Sequence, residues 1–254
     1  MPRPSKHQIE ELKSQIYRHY VKRFKRNRIP KYGALNKGFT ERELQAFLNA
    51  VDDRRLRLLF SYQAYLGLRI GEAVKVNIRH MNLETRELAI KTEKARTADA
   101  LLIPQNLFKD TVRYIEEHAT QIESADGYVF FKDERLSTRD EPYICPDYVR
   151  HWFRYYIQKA NLDETYEISD EAMSGRRPRQ LHRLTTHSLR HYAITRFSKQ
   201  TNGNLILTSK FARHSRPDTT MTYINTTKEE LYREIDGAFS MSQATSLKAE
   251  LARP

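Results

Sequence analysis

The 254-residue chain holds a single cysteine, Cys145, and only eight glycines. One thiol cannot close an intramolecular disulfide or supply a paired-cysteine zinc site. A reducing, cytoplasmic setting is the simplest reading. The glycines form no Walker-type phosphate loop, and Gly67-Leu68-Arg69-Ile70-Gly71 is not one. There is no HExxH motif and no compact carboxylate cluster, so neither a metal nor another cofactor is expected. No 18-residue apolar run is present, which argues against a membrane span. The basic N-terminus is not followed by an apolar stretch, so it does not read as a secretory signal.

What the chain has is positive charge, unevenly placed. Net charge is +12, and residues 1–38 hold 11 Lys/Arg against two acids. The excess is therefore an N-terminal arm rather than a general property. A concentrated basic segment favours a polyanion, most often nucleic acid; a solubilising tail is the blander reading. Ile9, Leu12, Ile16, Tyr20, Val21 and Phe24 recur at helical spacing within it. The arm reads as an amphipathic helix that docks on something. Pro30 and Gly33 end it.

Thr40-Glu41-Arg42-Glu43 is a capping box, followed by Leu44, Phe47, Leu48 and Val51 on one helical face. The main domain starts there. The pattern predicts a helix from Leu56 to Tyr65 that stops at Gly67, and a short one near Ile70. Leu83, Leu88, Ala89, Ile90 and Leu101-Leu102-Ile103 predict short strands closed by Pro104. Helices follow over 105–119 and 146–160, then a polar loop over 163–182. Further helices are expected over 187–200, 205–212, 218–224 and 228–239. The fold class is mainly α with a small antiparallel β-sheet, an α+β arrangement. The expected division is 1–39 basic arm and linker, 40–239 catalytic domain and 240–254 tail.

Chemistry concentrates in His187-Ser188-Leu189-Arg190-His191. On a helix His187 shares a face with Arg190 and with His191. Taken alone the pair also fits a polar surface face. His214 lies downstream, and Tyr223 follows it by nine residues. A tyrosine, arginines and histidines suffice to break a phosphodiester: the phenolate attacks, guanidiniums neutralise the oxygens, imidazoles move protons.

These boxes, with Leu66-Gly67-Leu68-Arg69-Ile70-Gly71-Glu72 and Ile90-Lys91-Thr92-Glu93-Lys94-Ala95-Arg96, resemble in order the signature of the tyrosine recombinases, or phage-type integrases. The likeness covers roughly residues 40 to 235. It implies a site-specific recombinase working through a 3′-phosphotyrosyl intermediate, without metal or ATP. Tyr223 would be the nucleophile, and Arg69 and Arg190 would grip the non-bridging oxygens. His187 would take or share the tyrosine proton, and His214 would donate to a phosphate oxygen. Lys91 would protonate the leaving oxygen, with Lys94 its rival. Glu72 would orient Arg69 or complete the pocket electrostatically, its blander reading being a helix surface charge, and His191 would support the site or serve only as a hydrogen-bonded structural residue.

The resemblance also implies duplex DNA as partner and a homo-tetramer on it; the short arm, a departure from the family, leaves open whether an accessory DNA-binding protein supplies the missing half. The segment after Tyr223 could dock on a neighbour. Candidate DNA contacts are Lys22, Arg23, Lys25, Arg26 and Arg28 in the arm, then Arg96, Arg176, Arg177, Arg179 and Arg213. Where the family usually has Leu-Gly before the second histidine, this chain has Ala212-Arg213. Alternatives are a nicking-closing enzyme like a type IB topoisomerase, and a non-catalytic DNA-binding protein of the same fold.

Overall fold

The computed structural model describes residues 38–91, 98–132, 141–169, 179–214 and Thr220. All fall within a unit running from Lys37 to Pro254. Helix α1, Glu41–Ala50, opens as the capping box dictates. The Glu43 backbone N–H donates to the Thr40 hydroxyl at 3.2 Å, and the Thr40 N–H donates to the Glu43 carboxylate at 2.8 Å. Its apolar stripe buries Leu44, Phe47 and Leu48.

Helix α2, Arg54–Leu66, is the central strut. Asp53 caps its start, accepting from the Leu56 N–H at 3.0 Å. It carries apolar residues on most of its circumference and buries Leu56, Leu59, Phe60 and Tyr62 completely. Such a helix has to be surrounded. Phe47 packs, with its ring tilted, between Phe60 and Phe153 at ring separations of 5.1 and 5.0 Å. The Tyr62 hydroxyl is satisfied by Thr111 at 2.9 Å. Gly67 ends the helix in the left-handed region at φ 62°, and the four-residue helix α3, Ile70–Ala73, starts three residues later.

A three-stranded antiparallel sheet follows, in the order β1 (Met81–Asn82), β2 (Glu87–Lys91), β3 (Ala98–Leu102). Leu88 pairs with Leu101, and Leu88 and Ile90 are buried on the inner face as a period of two requires. Leu83, expected to help build this sheet, is 53% exposed in the turn instead. Asn82 explains it: its side-chain oxygen accepts from the Glu84 and Thr85 N–H groups, and this turn ends the strand before Leu83.

Helices α4 (Gln105–Glu117), α5 (Ala119–Ser124) and α6 (Pro146–Lys159) come next. The 163–182 segment, expected to be a loop throughout, has paired ends. Strands β4 (Thr165–Ser169) and β5 (Arg179–His182) form an antiparallel hairpin with a register shift between Thr165 and Glu167. Backbone pairing satisfies donors and acceptors whatever the side chains are, so a stretch poor in apolar residues still forms a ladder here. Helices α7 (Thr186–Gln200) and α8 (Leu205–Ala212) complete the described elements, with α7 packed along α2. The expected helices after residue 214 lie outside the described residues, apart from Thr220, as do the arm and the tail.

Candidate active site

Four chain segments meet where α2 ends. They are the Gly67 turn, the start of α3, the first turns of α7 and the C-terminal end of α8. Arg190 is the pin among them. It lies on α7 with 1% of its surface exposed. Its guanidinium donates to the carbonyls of Gly67 and Ala212, joining α7 to the ends of α2 and α8. The geometry depends on Gly67. Only a residue tolerant of positive φ can turn its carbonyl this way.

Arg69 caps α3 and is more open than Arg190 or Arg213, with 26% of its side chain exposed. Glu72, one turn later, is fully buried and holds it twice. One carboxylate oxygen accepts from the Arg69 backbone N–H at 2.8 Å, and the other from its guanidinium at 2.9 Å. Burial pushes the Glu72 pKa up. The Arg69 N–H and the two guanidiniums outweigh that, and the net shift is downward. Glu72 is therefore an anion set under Arg69.

His187 lies one turn before Arg190 on α7, and its ring meets that of His191 edge to face at 5.0 Å. Desolvation, then the charges of Arg190 and Arg69, hold its pKa below the usual imidazole value. His214 follows α8. Its Nδ1 lies 2.9 Å from the buried Thr220 hydroxyl. Desolvation first, then Arg190, Arg69, Arg213 and His187, depress its pKa to about 4. Burial, and after it the nearby arginines, thus favour the neutral form of both imidazoles.

An open cleft of about 630 Å³ runs from this cluster. Arg69 and His187 line it, with Arg150 and Arg154 further along. The latter two had not been singled out from sequence. Their spacing on α6 is helical, but only the packing of α6 against the site turns them into the cleft. Asp147 and Asp163 partner them at 2.5 Å each. Among the described residues no group of three His, Cys, Asp or Glu side chains could hold a metal ion. Likewise no described helix is long and apolar enough to cross a membrane.

One expectation is corrected. Arg213, proposed as a DNA contact, is turned inward, with 2% of its side chain exposed. Its guanidinium donates to Glu72 at 3.0 Å and to the Gly67 carbonyl at 3.1 Å. The reason is the closure of α8. The Arg213 and His214 N–H groups bond back to the Lys210 and Ser209 carbonyls, the double bond of a Schellman turn. Arg213 occupies the left-handed position at φ 53°, which aims its side chain back at the helix end.

Of the other sequence candidates, Lys91 closes β2 opposite Ala98, and Arg179 opens β5 opposite Ser169. Only their backbones are described. Tyr223, Lys94, Arg96, Arg176, Arg177 and the arm residues Lys22, Arg23, Lys25, Arg26 and Arg28 lie outside the described residues.

With this geometry in view, comparison with known proteins places the chain. The model of the phage integrase family matches residues 37–230. The chain belongs to that family. It is 24% identical over 219 residues to the tyrosine recombinase XerA of Pyrococcus horikoshii, covering 86% of this chain. It spans 66% of that relative's length. Among solved structures, XerA recombinase aligns at a TM-score of 0.58 and 19% identity, over 79% of this chain and 64% of that one. A Tn1549 transposon integrase in complex with circular intermediate DNA aligns at 0.59 and 14% identity, over 92% and 81%. The fold is shared with these tyrosine recombinases.

Proposed function

We propose that this protein is a site-specific DNA recombinase that cuts and rejoins duplex DNA through Tyr223. The observation that carries the reading is the convergence of Arg69, His187, Arg190 and His214 from distant segments, with Arg69 and His187 lining an open cleft and Arg190 and His214 close behind them. Family membership and relatives named as recombinases support it.

In this reading the scissile phosphate enters beside Arg69. Arg69 and Arg190 neutralise its non-bridging oxygens, a role that suits a planar, permanently charged donor fork. The Tyr223 oxygen attacks phosphorus and gives its proton to neutral His187. The bond to the 5′-oxygen breaks, and Lys91 protonates that oxygen, with Lys94 the alternative. The products are a 3′-phosphotyrosyl bond and a free 5′-hydroxyl, and attack by a 5′-hydroxyl reverses the step. Linkage energy is kept in the tyrosyl ester, so no nucleotide is consumed. In this reading Thr220 is the donor to His214 Nδ1, which puts the imidazole proton on Nε2, the tautomer that can stabilise charge on a phosphate oxygen.

Strand exchange between two duplexes calls for a homo-tetramer on DNA, acting in the cytoplasm on the nucleoid. The arm of residues 1–39 adds phosphate contacts, aided by an accessory DNA-binding protein.

The test uses a nicked suicide duplex carrying the sequence that the intact protein selects from random DNA. A covalent complex on a denaturing gel is expected from the wild type. Tyr223→Phe is expected to abolish it with duplex affinity retained. An adduct surviving in Tyr223→Phe would remove Tyr223 as nucleophile. Relaxation of plasmids lacking the selected site would favour a nicking-closing enzyme.

A further inference from the structure

Arg213 is an anomaly. It fills the left-handed position of a Schellman turn, where glycine is the usual occupant. A side chain there costs backbone energy, yet this one is long, charged and buried. Its destination accounts for it. The guanidinium reaches from the end of α8 to the Glu72 carboxylate and the Gly67 carbonyl. Glu72 Oε2 accepts from Arg213 and from the Arg69 backbone N–H, while Oε1 accepts from the Arg69 guanidinium. Gly67 receives Arg190 as well as Arg213. A chain of contacts therefore runs from the residue before His214, through one buried carboxylate, to Arg69.

We propose that Arg213 is a positioning residue that clamps Glu72 and thereby sets the Arg69 guanidinium and the His214 backbone in one fixed relation. It acts through Glu72 and need not touch DNA. Resting on the recombinase reading of the site, the clamp assigns a task to a residue that departs from the family's usual Leu-Gly. Two cations against one anion also explain why a carboxylate can be fully buried here without protonation. Arg69 alone, a quarter exposed, would leave that anion less well compensated.

Arg213→Gly suits the backbone and removes the clamp, and Arg213→Asn repeats the test with another residue that tolerates positive φ. Arg213→Lys keeps a charge but not the fork. On the selected suicide duplex, Arg213→Gly is expected to hold duplex affinity within about threefold while the single-turnover adduct rate falls roughly tenfold or more. Arg213→Lys is expected to recover part of that rate. On a Glu72→Gln background, removing Arg213 is expected to cost little further. An adduct rate unchanged in both Arg213→Gly and Arg213→Asn overturns the proposal.

A second readout needs no DNA. The Arg69 Nη1–H NMR signal, from the group that Glu72 holds, is expected to exchange with solvent faster in Arg213→Gly than in wild type, with Arg213→Lys between them. Unchanged exchange would overturn the clamp. If wild-type protein forms no adduct on any selected duplex, the recombinase reading has failed, and this exchange measurement decides the clamp by itself.

Discussion

His214 sits among three guanidiniums and a second imidazole, and that crowding sets its acid–base behaviour. Desolvation and those charges bring its pKa from 6.5 in the free residue to about 4. The sign of the consequence follows from proton counting. Between these two values the unfolded chain binds a proton that the folded one does not, so this contribution to stability is full above about pH 6.5 and is lost as pH falls toward 4. His187 is shifted the same way. Thermal melts are expected to show a larger fall in midpoint between pH 7 and pH 5 for wild type than for His214→Gln. Equal falls in both proteins would contradict the assignment. The identities of Arg69, His187, Arg190 and His214 as candidates were legible in the sequence, because each sits in a short box of fixed spacing. The inward turn of Arg213 was not. Whether an arginine after a helix faces solvent or its own helix end depends on φ at one residue, and nothing in the residue type announces a positive value.

At the scale of elements, helix ends matter more to the site than helix middles. The carbonyl at the end of α2 accepts from two arginines, and the end of α8 supplies another acceptor to Arg190. Gly67 is thus both a stop signal and a piece of the site. A Cβ there would meet Phe211 at 3.5 Å, an ordinary contact, so the obstacle to substitution is the φ of 62° and not space. Gly67→Ala is expected to cost about 1–2 kcal/mol in urea unfolding. A loss below about 0.5 kcal/mol would mean that the turn relaxes freely. The capping box at Thr40, the stop at Gly67 and the helix over residues 205–212 were all readable beforehand, because capping and periodicity are local chemistry. The β4–β5 hairpin was missed for the converse reason. Its strands are joined by backbone pairing across a polar stretch, with too few apolar residues to print a period.

At the scale of the whole molecule, positive charge is concentrated at the start of the sequence. Residues 1–38 carry most of the net +12, while the candidate site gathers its own few cations from distant segments. If the arm grips phosphates, affinity for duplex DNA falls steeply with salt, and removing residues 1–38 flattens the plot of log affinity against log salt by about 0.9 per lost contact. Equal slopes with and without the arm would assign phosphate binding to the cleft alone. Sequence by itself determined the family resemblance, the helical character and the identity of the chemistry-bearing side chains. These rest on local spacing and on the kinds of group that phosphoryl transfer needs. Tertiary structure alone decided that Glu72 stands between two arginines, that Arg190 is buried on backbone carbonyls, and that Arg213 belongs to the site's scaffold. Those facts depend on where the ends of α2, α3 and α8 meet, and such meetings between segments more than 100 residues apart are set by packing of the core between them.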